Sequence, residues 1–209
     1  KHKVSPRAIQ IIAQCLQRRL KYKTISALIT AVYGILSIFE IENCAMLGLK
    51  LPTDPRWVNI VEKNIDEILT DHAYCEQKAA STAISLIVSF PEYTELTQEM
   101  IALSREEMGH FKMVHDRILA RGKTLGRDRK DDYVVALLKF FPKGGSRTTQ
   151  LVHRLLYAAL IEARSCERFR LLSEQLQDKE LADFYHKLMI SEAGHYTMFL
   201  NFARKYGDR

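Results

Sequence analysis

Four glutamates stand where amphipathic helices would place their cores. On an α-helix, residues at i±3, i±4 and i±7 share a face. Glu76 shares its face with Leu69, His72, Ala73, Ala79, Ala80 and Ala83, and Glu107 shares its own with Met100, Leu103, Ser104, His110, Phe111 and Val114. Glu162 is surrounded in the same way by Leu155, Ala158, Ala159, Ser165, Cys166 and Phe169, and Glu192 by Tyr185, Leu188, Met189, His195, Tyr196 and Phe199. An isolated carboxylate is not buried unless it is paired, protonated or bound to a cation, because desolvation is too costly.

The spacing names the cation. Glu107-x-x-His110 (EMGH) and Glu192-x-x-His195 (EAGH) each set a carboxylate and an imidazole one turn apart on one face, while Glu76 and Glu162 stand alone on the preceding helices. Glu107 follows Glu76 by 31 residues and Glu192 follows Glu162 by 30, so a two-helix unit occurs twice. Four Glu and two His in this arrangement are the ligand set of a carboxylate-bridged di-iron or di-manganese centre in a four-helix bundle. Hard carboxylates with imidazole suit Fe or Mn. Asp183-x-x-His186 is an internal control, because nine residues of offset put it on the face opposite Glu192. That pair reads as solvated, and Glu106, Glu167 and Glu174 read as ordinary surface residues.

The rest of the chain from Asp54 onward reads as helix with brief punctuation. Asp54-Pro55 resembles a cap and first helical residue, opening a run that continues to Leu69. Further helices are expected over 71–90, stopped by Pro91, and from about Thr94 to Ala120. A charged loop, Arg121 to Asp132, leads into a short helix over 133–141. Beyond the break at 142–145, Ser146 caps a helix to about Gln177, and Asp178 caps one ending near Gly207. No strand-period run appears, so the expected class is all-α: a four-helix bundle with a dinuclear metal site in its core, plus accessory helices.

At the six ligand positions the sequence resembles a known family. The strings DHAYCEQKAAS (71–81), SREEMGHF (104–111), IEARSCERF (161–169) and SEAGHY (191–196), with MLGLKLPTDPRW (46–57), are similar to those of the MiaE-type tRNA hydroxylases of the ferritin-like superfamily. The likeness runs from about Met46 to Arg209. It implies O2-dependent hydroxylation of the isopentenyl side chain of 2-methylthio-N6-isopentenyladenosine, beside the anticodon of tRNA. It also implies iron ligation by Glu76, Glu107, His110, Glu162, Glu192 and His195, two Fe ions as cofactor, and O2 as co-substrate. The chain has no flavin or nicotinamide motif, so the electrons must come from a separate reductase. His72, one turn before Glu76, could hydrogen-bond a ligand. Tyr196 and Cys166 read as core packing, and Arg164 and Arg168 as surface ion pairs.

The formal net charge of +6 suggests a nucleic-acid partner until it is located. Residues 1–45 carry seven bases and two acids, whereas the other 164 residues carry 24 bases and 23 acids. The body is nearly neutral, and its most basic stretch is Arg121, Lys123, Arg127, Arg129 and Lys130, followed by Lys139, Lys143 and Arg147. The first five are the expected tRNA contacts.

Residues 1–45 read as an N-terminal extension of open status. Its sixteen uncharged residues, Thr24 to Phe39, fit an extra helix packed on the domain, a short membrane anchor, or sequence outside the native coding region with Met46 as the natural start. Cys15, Cys44, Cys75 and Cys166 are scattered, which fits reduced thiols in a cytoplasmic protein. Two other readings compete with the hydroxylase. One is iron oxidation and storage in an oligomeric shell, where the hydroxylase predicts a monomer or small oligomer. The other is a membrane-bound di-iron oxidase, which depends wholly on residues 24–39; no membrane association is expected for 46–209.

Overall fold

The computed structural model describes residues 47, 49 and 51–207. The expectations for residues 24–39 and for Met46 lie outside them. Among the described residues there are six α-helices and no strand: α1 (Trp57–Lys63), α2 (Ile65–Ser89), α3 (Thr94–Ala120), α4 (Asp132–Leu138), α5 (Arg147–Gln175) and α6 (Lys179–Gly207). None of them is long and apolar enough to cross a membrane. The helices fall into two compact units, Pro55–Lys130 and a second that joins the stretch up to Asp54 with the chain from Asp131 onward.

In the first unit α2 and α3 form an antiparallel hairpin. Pro91 follows Phe90, whose N–H closes the last turn of α2 onto the Leu86 carbonyl at 2.9 Å. The buried stripe of α2 runs Leu69, His72, Ala73, Glu76, Ala80, Ala83 and Leu86, and that of α3 runs Leu96, Met100, Leu103, Glu107, His110, Val114 and Ile118. Apart from the adjacent pair His72 and Ala73, both step by three or four residues, the helical period that the sequence displays. Gly122, at φ 70°, terminates α3 by donating to the Leu119 carbonyl at 2.8 Å, while the Lys123 N–H reaches Ile118 at 3.1 Å. Only a residue tolerant of left-handed backbone closes a helix in this way.

One boundary differs from expectation. The first helix does not run from Asp54 to Leu69: it breaks at Asn64, whose Nδ2 donates to the Ile60 carbonyl at 2.8 Å. The short amide competes with the helical ladder there, and α2 starts at Ile65, six residues before Asp71. Asp71 is interior to α2 because its carboxylate accepts from Arg129 instead of capping a helix.

The loop 121–130 is an ordered strap along the outer side of α2. Arg121 Nε donates to Asp66 at 2.5 Å, Lys123 lies 3.5 Å from the same carboxylate, and Lys78 Nζ donates to Asp128 at 2.6 Å. Arg129 grips Asp71 with two nitrogens, at 2.8 and 2.7 Å, and Glu67 at 2.6 Å. Tyr74 Oη donates to the Gly126 carbonyl at 2.9 Å. The partners Glu67, Asp71, Tyr74 and Lys78 are one helical stripe, so the strap follows α2 for three turns.

In the second unit α5 and α6 form the other antiparallel hairpin. Ser146 Oγ accepts from the Thr149 N–H at 3.1 Å, and Asp178 Oδ1 accepts from Leu181 at 3.1 Å, so both expected caps are present. The register is set by Cys166, whose thiol donates to the Met189 carbonyl at 3.3 Å, and by the Phe169 and Tyr185 rings, 5.2 Å apart. Helix α4 and the turn after it cover a second face of α5. Phe141 packs edge-on against His153 and Tyr157, Tyr157 Oη donates to the Val134 carbonyl at 3.3 Å, and the Arg164 and Arg168 guanidiniums lie over the Tyr133 ring.

Glu167 is not the surface residue its neighbours suggested. It is 3% exposed, and its carboxylate accepts from the Thr53 N–H at 2.6 Å, from Thr53 Oγ1 at 2.7 Å and from Arg164 at 2.5 Å. Thr53 is thereby tied to α5 through the buried Glu167 carboxylate and its partly buried partner Arg164. Arg164 belongs to this clamp, and both Arg164 and Arg168 lie over the Tyr133 ring, each only partly exposed rather than on a solvated face. Glu106 and Glu174 are exposed, as are Asp183 and His186.

Candidate metal centre

All six proposed ligands are interior. Glu76, Glu107, His110, Glu162, Glu192 and His195 are each at most 6% exposed, although carboxylates of this kind are rarely buried without a partner. Each hairpin assembles three of them. In the α2–α3 unit, one donor atom from each of Glu76, Glu107 and His110 lies within 4.8 Å of the other two. In the α5–α6 unit the same holds for Glu162, Glu192 and His195. The antiparallel register brings the lone glutamate of one helix level with the Glu-x-x-His of its neighbour. Two carboxylates and an imidazole converging in a dry interior are a hard-donor set for a cation such as Fe or Mn.

The three groups of the first triad are electrostatically coupled. His110 Nδ1 lies 3.5 Å from Glu107 and 3.8 Å from Glu76. Burial works against the charged imidazole, but the Glu107 and Glu76 carboxylates outweigh it and push its pKa up to about 10. Burial likewise works against the Glu76 carboxylate. The charge of His72, followed by hydrogen bonds with His110, His72 and Glu107, holds it well below the usual range. A protonated imidazole balances part of the carboxylate charge of this triad.

His72 is buried, and its Nε2 is 2.5 Å from Glu76 Oε1, so it orients one oxygen of that carboxylate while the other faces His110. In the second triad, His195 Nδ1 lies 3.9 Å from Glu192. Cys166 and Tyr196 are buried, and burial pushes the Cys166 thiol up to about 11 and raises the Tyr196 phenol. Both are protonated at neutral pH and fill core positions, as their helical faces implied.

The five bases expected to meet tRNA lie on the strap, where three are engaged internally. Arg121, Lys123 and Arg129 pair with Asp66, Glu67 and Asp71 of α2, while Arg127 and Lys130 are exposed. Asp128 pairs with Lys78, and Asp131 caps α4 by accepting from the Tyr133 and Val134 N–H groups. The signal that could have revealed the strap is the polar stripe Glu67-Asp71-Tyr74-Lys78, which is visible only once a loop is known to lie on it.

A family model described as tRNA-(MS[2]IO[6]A)-hydroxylase (MiaE) matches residues 41–209, a span that contains all six buried donors. The chain belongs to the MiaE family of tRNA hydroxylases. Two relatives carry the name tRNA 2-(methylsulfanyl)-N(6)-isopentenyladenosine(37) hydroxylase. The protein from Pseudomonas putida is 40% identical over 164 residues, covering 78% of either chain, and that from Salmonella typhimurium is 28% identical over 206 residues, covering 75% of either. A solved structure, "Protein 43 with aldehyde deformylating oxygenase activity from Synechococcus", is 34% identical with a TM-score of 0.71, covering 75% of this chain and 77% of its own. The fold is therefore the all-α, ferritin-like class expected from the sequence.

Proposed function

We propose that this MiaE-family chain is an O2-dependent di-iron monooxygenase that hydroxylates the isopentenyl side chain of 2-methylthio-N6-isopentenyladenosine in tRNA, with 46–209 acting as one catalytic domain. The observation that carries the reading is that the family match spans two buried triads of the same composition, Glu76/Glu107/His110 and Glu162/Glu192/His195. These six residues would hold two Fe ions. Once bound, the irons supply the redox chemistry that activates O2 and delivers one oxygen atom to an unactivated C–H bond.

The chain's own part is positional and electrostatic. The four carboxylates offset the charge of two divalent cations, so the loaded core is close to neutral and tolerates burial. The imidazoles must ligate in their neutral form, and His110 therefore releases its proton when the metal enters. His72 keeps Glu76 in one orientation. The alanines and leucines that flank the triads on α2, α3 and α5 exclude water from the reacting centre. Two electrons per turnover come from a separate reductase, and a cytoplasmic location belongs to the same reading.

Nucleoside analysis of tRNA tests it directly. Cells lacking the protein should contain the isopentenylated, unhydroxylated nucleoside, and complementation should restore the hydroxylated one. Complementation with Glu107→Ala should not restore it. Persistence of the hydroxylated nucleoside in the deletion would remove the assignment. Iron storage, which the same ligand types could serve, predicts a large shell that a size measurement distinguishes from a small particle.

A further inference from the structure

The turn Glu107-Met108-Gly109-His110 of α3 has two faces. Glu107 and His110 point into the core and are at most 6% exposed, while Met108 and Gly109 between them face solvent. Gly109 has no side chain, and an added Cβ would meet nothing within 4 Å, so the helix backbone itself is the surface there. Around it stand the large apolar side chains of Ile101, Met108 and Met113, which are 46%, 45% and 40% exposed. From Ile101 to Met113 is about 18 Å of helix. Arg105, one turn before Gly109, is exposed on the same side with no counter-charge among the described residues, whereas Lys112 is paired with Asp116 at 2.6 Å.

The duplicated unit is built otherwise. Gly194 precedes His195 as Gly109 precedes His110, and it is equally open. Its neighbours at three-, four- and seven-residue spacing are Lys187, Ile190, Ser191, Thr197, Met198 and Asn201, and of these six only Ile190 is a large apolar residue in the exposed class. The two turns carry the same ligand types and show solvent different chemistry.

We propose that the α3 surface around Gly109 is the docking site of the electron donor, a small redox protein that presents an apolar patch and a carboxylate for Arg105. The inference rests on the hydroxylase reading. Hydroxylation of one C–H bond consumes O2, two electrons and two protons and yields the alcohol and water, so a reduced carrier protein must be oxidised by two electrons per turnover. Electron transfer slows steeply with distance, and the donor must therefore dock where the wall over the ligands is thin. At Met108 and Gly109 that wall is a single helix: the open surface and the ligands Glu107 and His110 belong to one turn, and consecutive Cα atoms are 3.8 Å apart. The absent side chain at Gly109 lets a partner approach the backbone closely. Methionine side chains repack readily, which suits a partner that must bind and leave. Redox encounters bury little surface, less than about 1,200 Å² in total, so a stripe on one helix is enough, while a stable second copy would need a larger apolar area. Arg105 contributes orientation and speed of encounter. Exposed apolar side chains offer nothing to phosphates, so the tRNA backbone is not the occupant.

The matched pair Gly109→Leu and Gly194→Leu tests this. Both put a side chain into open space, so both should fold and load metal as the parent does, which circular dichroism and metal content establish. In cells lacking the protein, where the natural donor is present, hydroxylated nucleoside should appear at least tenfold more slowly after induction of Gly109→Leu, and within twofold of the parent rate for Gly194→Leu. Ile101→Gln/Met108→Gln/Met113→Gln, which strips the apolar stripe without adding charge, should behave as Gly109→Leu does. Purified protein reduced beforehand with dithionite needs no docked donor. A single turnover with O2 and tRNA should then give the same yield for the parent and every variant, and tRNA affinity at fixed salt should agree within twofold. The inference falls if Gly109→Leu supports hydroxylation in cells at the parent rate. It falls equally if the single-turnover yield of that variant drops in parallel, because the defect then lies at the metal or the tRNA. Sedimentation showing a parent dimer that Gly109→Leu dissociates would also overturn it, since a second copy would then cover the stripe. If the dithionite-reduced parent hydroxylates no tRNA, the functional reading itself fails and the docking inference goes with it.

Discussion

His72 Nε2 lies 2.5 Å from Glu76 Oε1, one turn away on α2, and the duplicated unit has no counterpart for it: the residue one turn before Glu162 is Ala158. A second difference accompanies it. Glu106 approaches His110 Nε2 at 3.9 Å, while the residue one turn before His195 is Ser191. Ligands alike in type are thus supported unequally, and groups that orient ligands commonly govern metal affinity by 10–100-fold. His72→Ala should weaken one of the two metal sites by roughly that factor and leave the other within severalfold. Titration of the metal-free protein with Mn(II) or Fe(II) checks this, since a parallel loss at both sites would contradict it.

In the metal-free protein His110 should titrate near pH 10, well above an ordinary histidine. A pKa raised in the folded state stabilises the fold fully below the unfolded pKa of about 6.5 and is lost as pH rises through 10. Glu76 has the opposite sign: its lowered pKa contributes stability above about 4.5, which is lost as pH falls. Melts across pH should therefore show a metal-free protein weakened at both extremes. Metal should abolish the His110 titration seen by NMR and release a proton measurable by calorimetry in buffers of different ionisation enthalpy.

Glu167→Ala should be among the most damaging substitutions outside the triads. It leaves the partly buried Arg164 without its carboxylate and two Thr53 donors without an acceptor, and breaking a buried pair in this way costs about 3–5 kcal/mol. Thr53→Val removes one hydroxyl donor and should cost about 1–2 kcal/mol. Denaturant unfolding of the metal-free protein measures both.

Arg129→Ala should act locally. Its side chain is half exposed, so the ion pairs are screened and the global loss should stay below about 1 kcal/mol. What changes is the strap: amide exchange and proteolysis between 121 and 130 should accelerate severalfold while α2 and α3 remain protected.

Gly109 and Gly194, each just before the histidine of its Glu-x-x-His, sit in helix interiors, and an added methyl at either would meet nothing within 4 Å. Gly109→Ala and Gly194→Ala should each stabilise the metal-free chain by about 0.5–1 kcal/mol. Thermal melts that fall would show that the space is not open.

The sequence by itself determined the helix class, the two repeats and the six Glu and His positions that the fold buries. Helical periodicity is a local property, and a glutamate among apolar residues at three- and four-residue spacing marks itself as facing the core. It misjudged what depends on contacts far apart in the chain. Asp71 was expected to open a helix, and the structure makes it an interior residue of α2 whose carboxylate meets Arg129, 58 residues later. Glu167 had the neighbours of a surface residue, and only Thr53, 114 residues earlier, makes it buried. The basic strap was the expected tRNA contact, and the acids that pair with Arg121, Lys123 and Arg129 stand on α2. Helical faces follow from the 3.6-residue period, but which charges cancel is decided by where the folded chain returns to itself, and no local spacing encodes that.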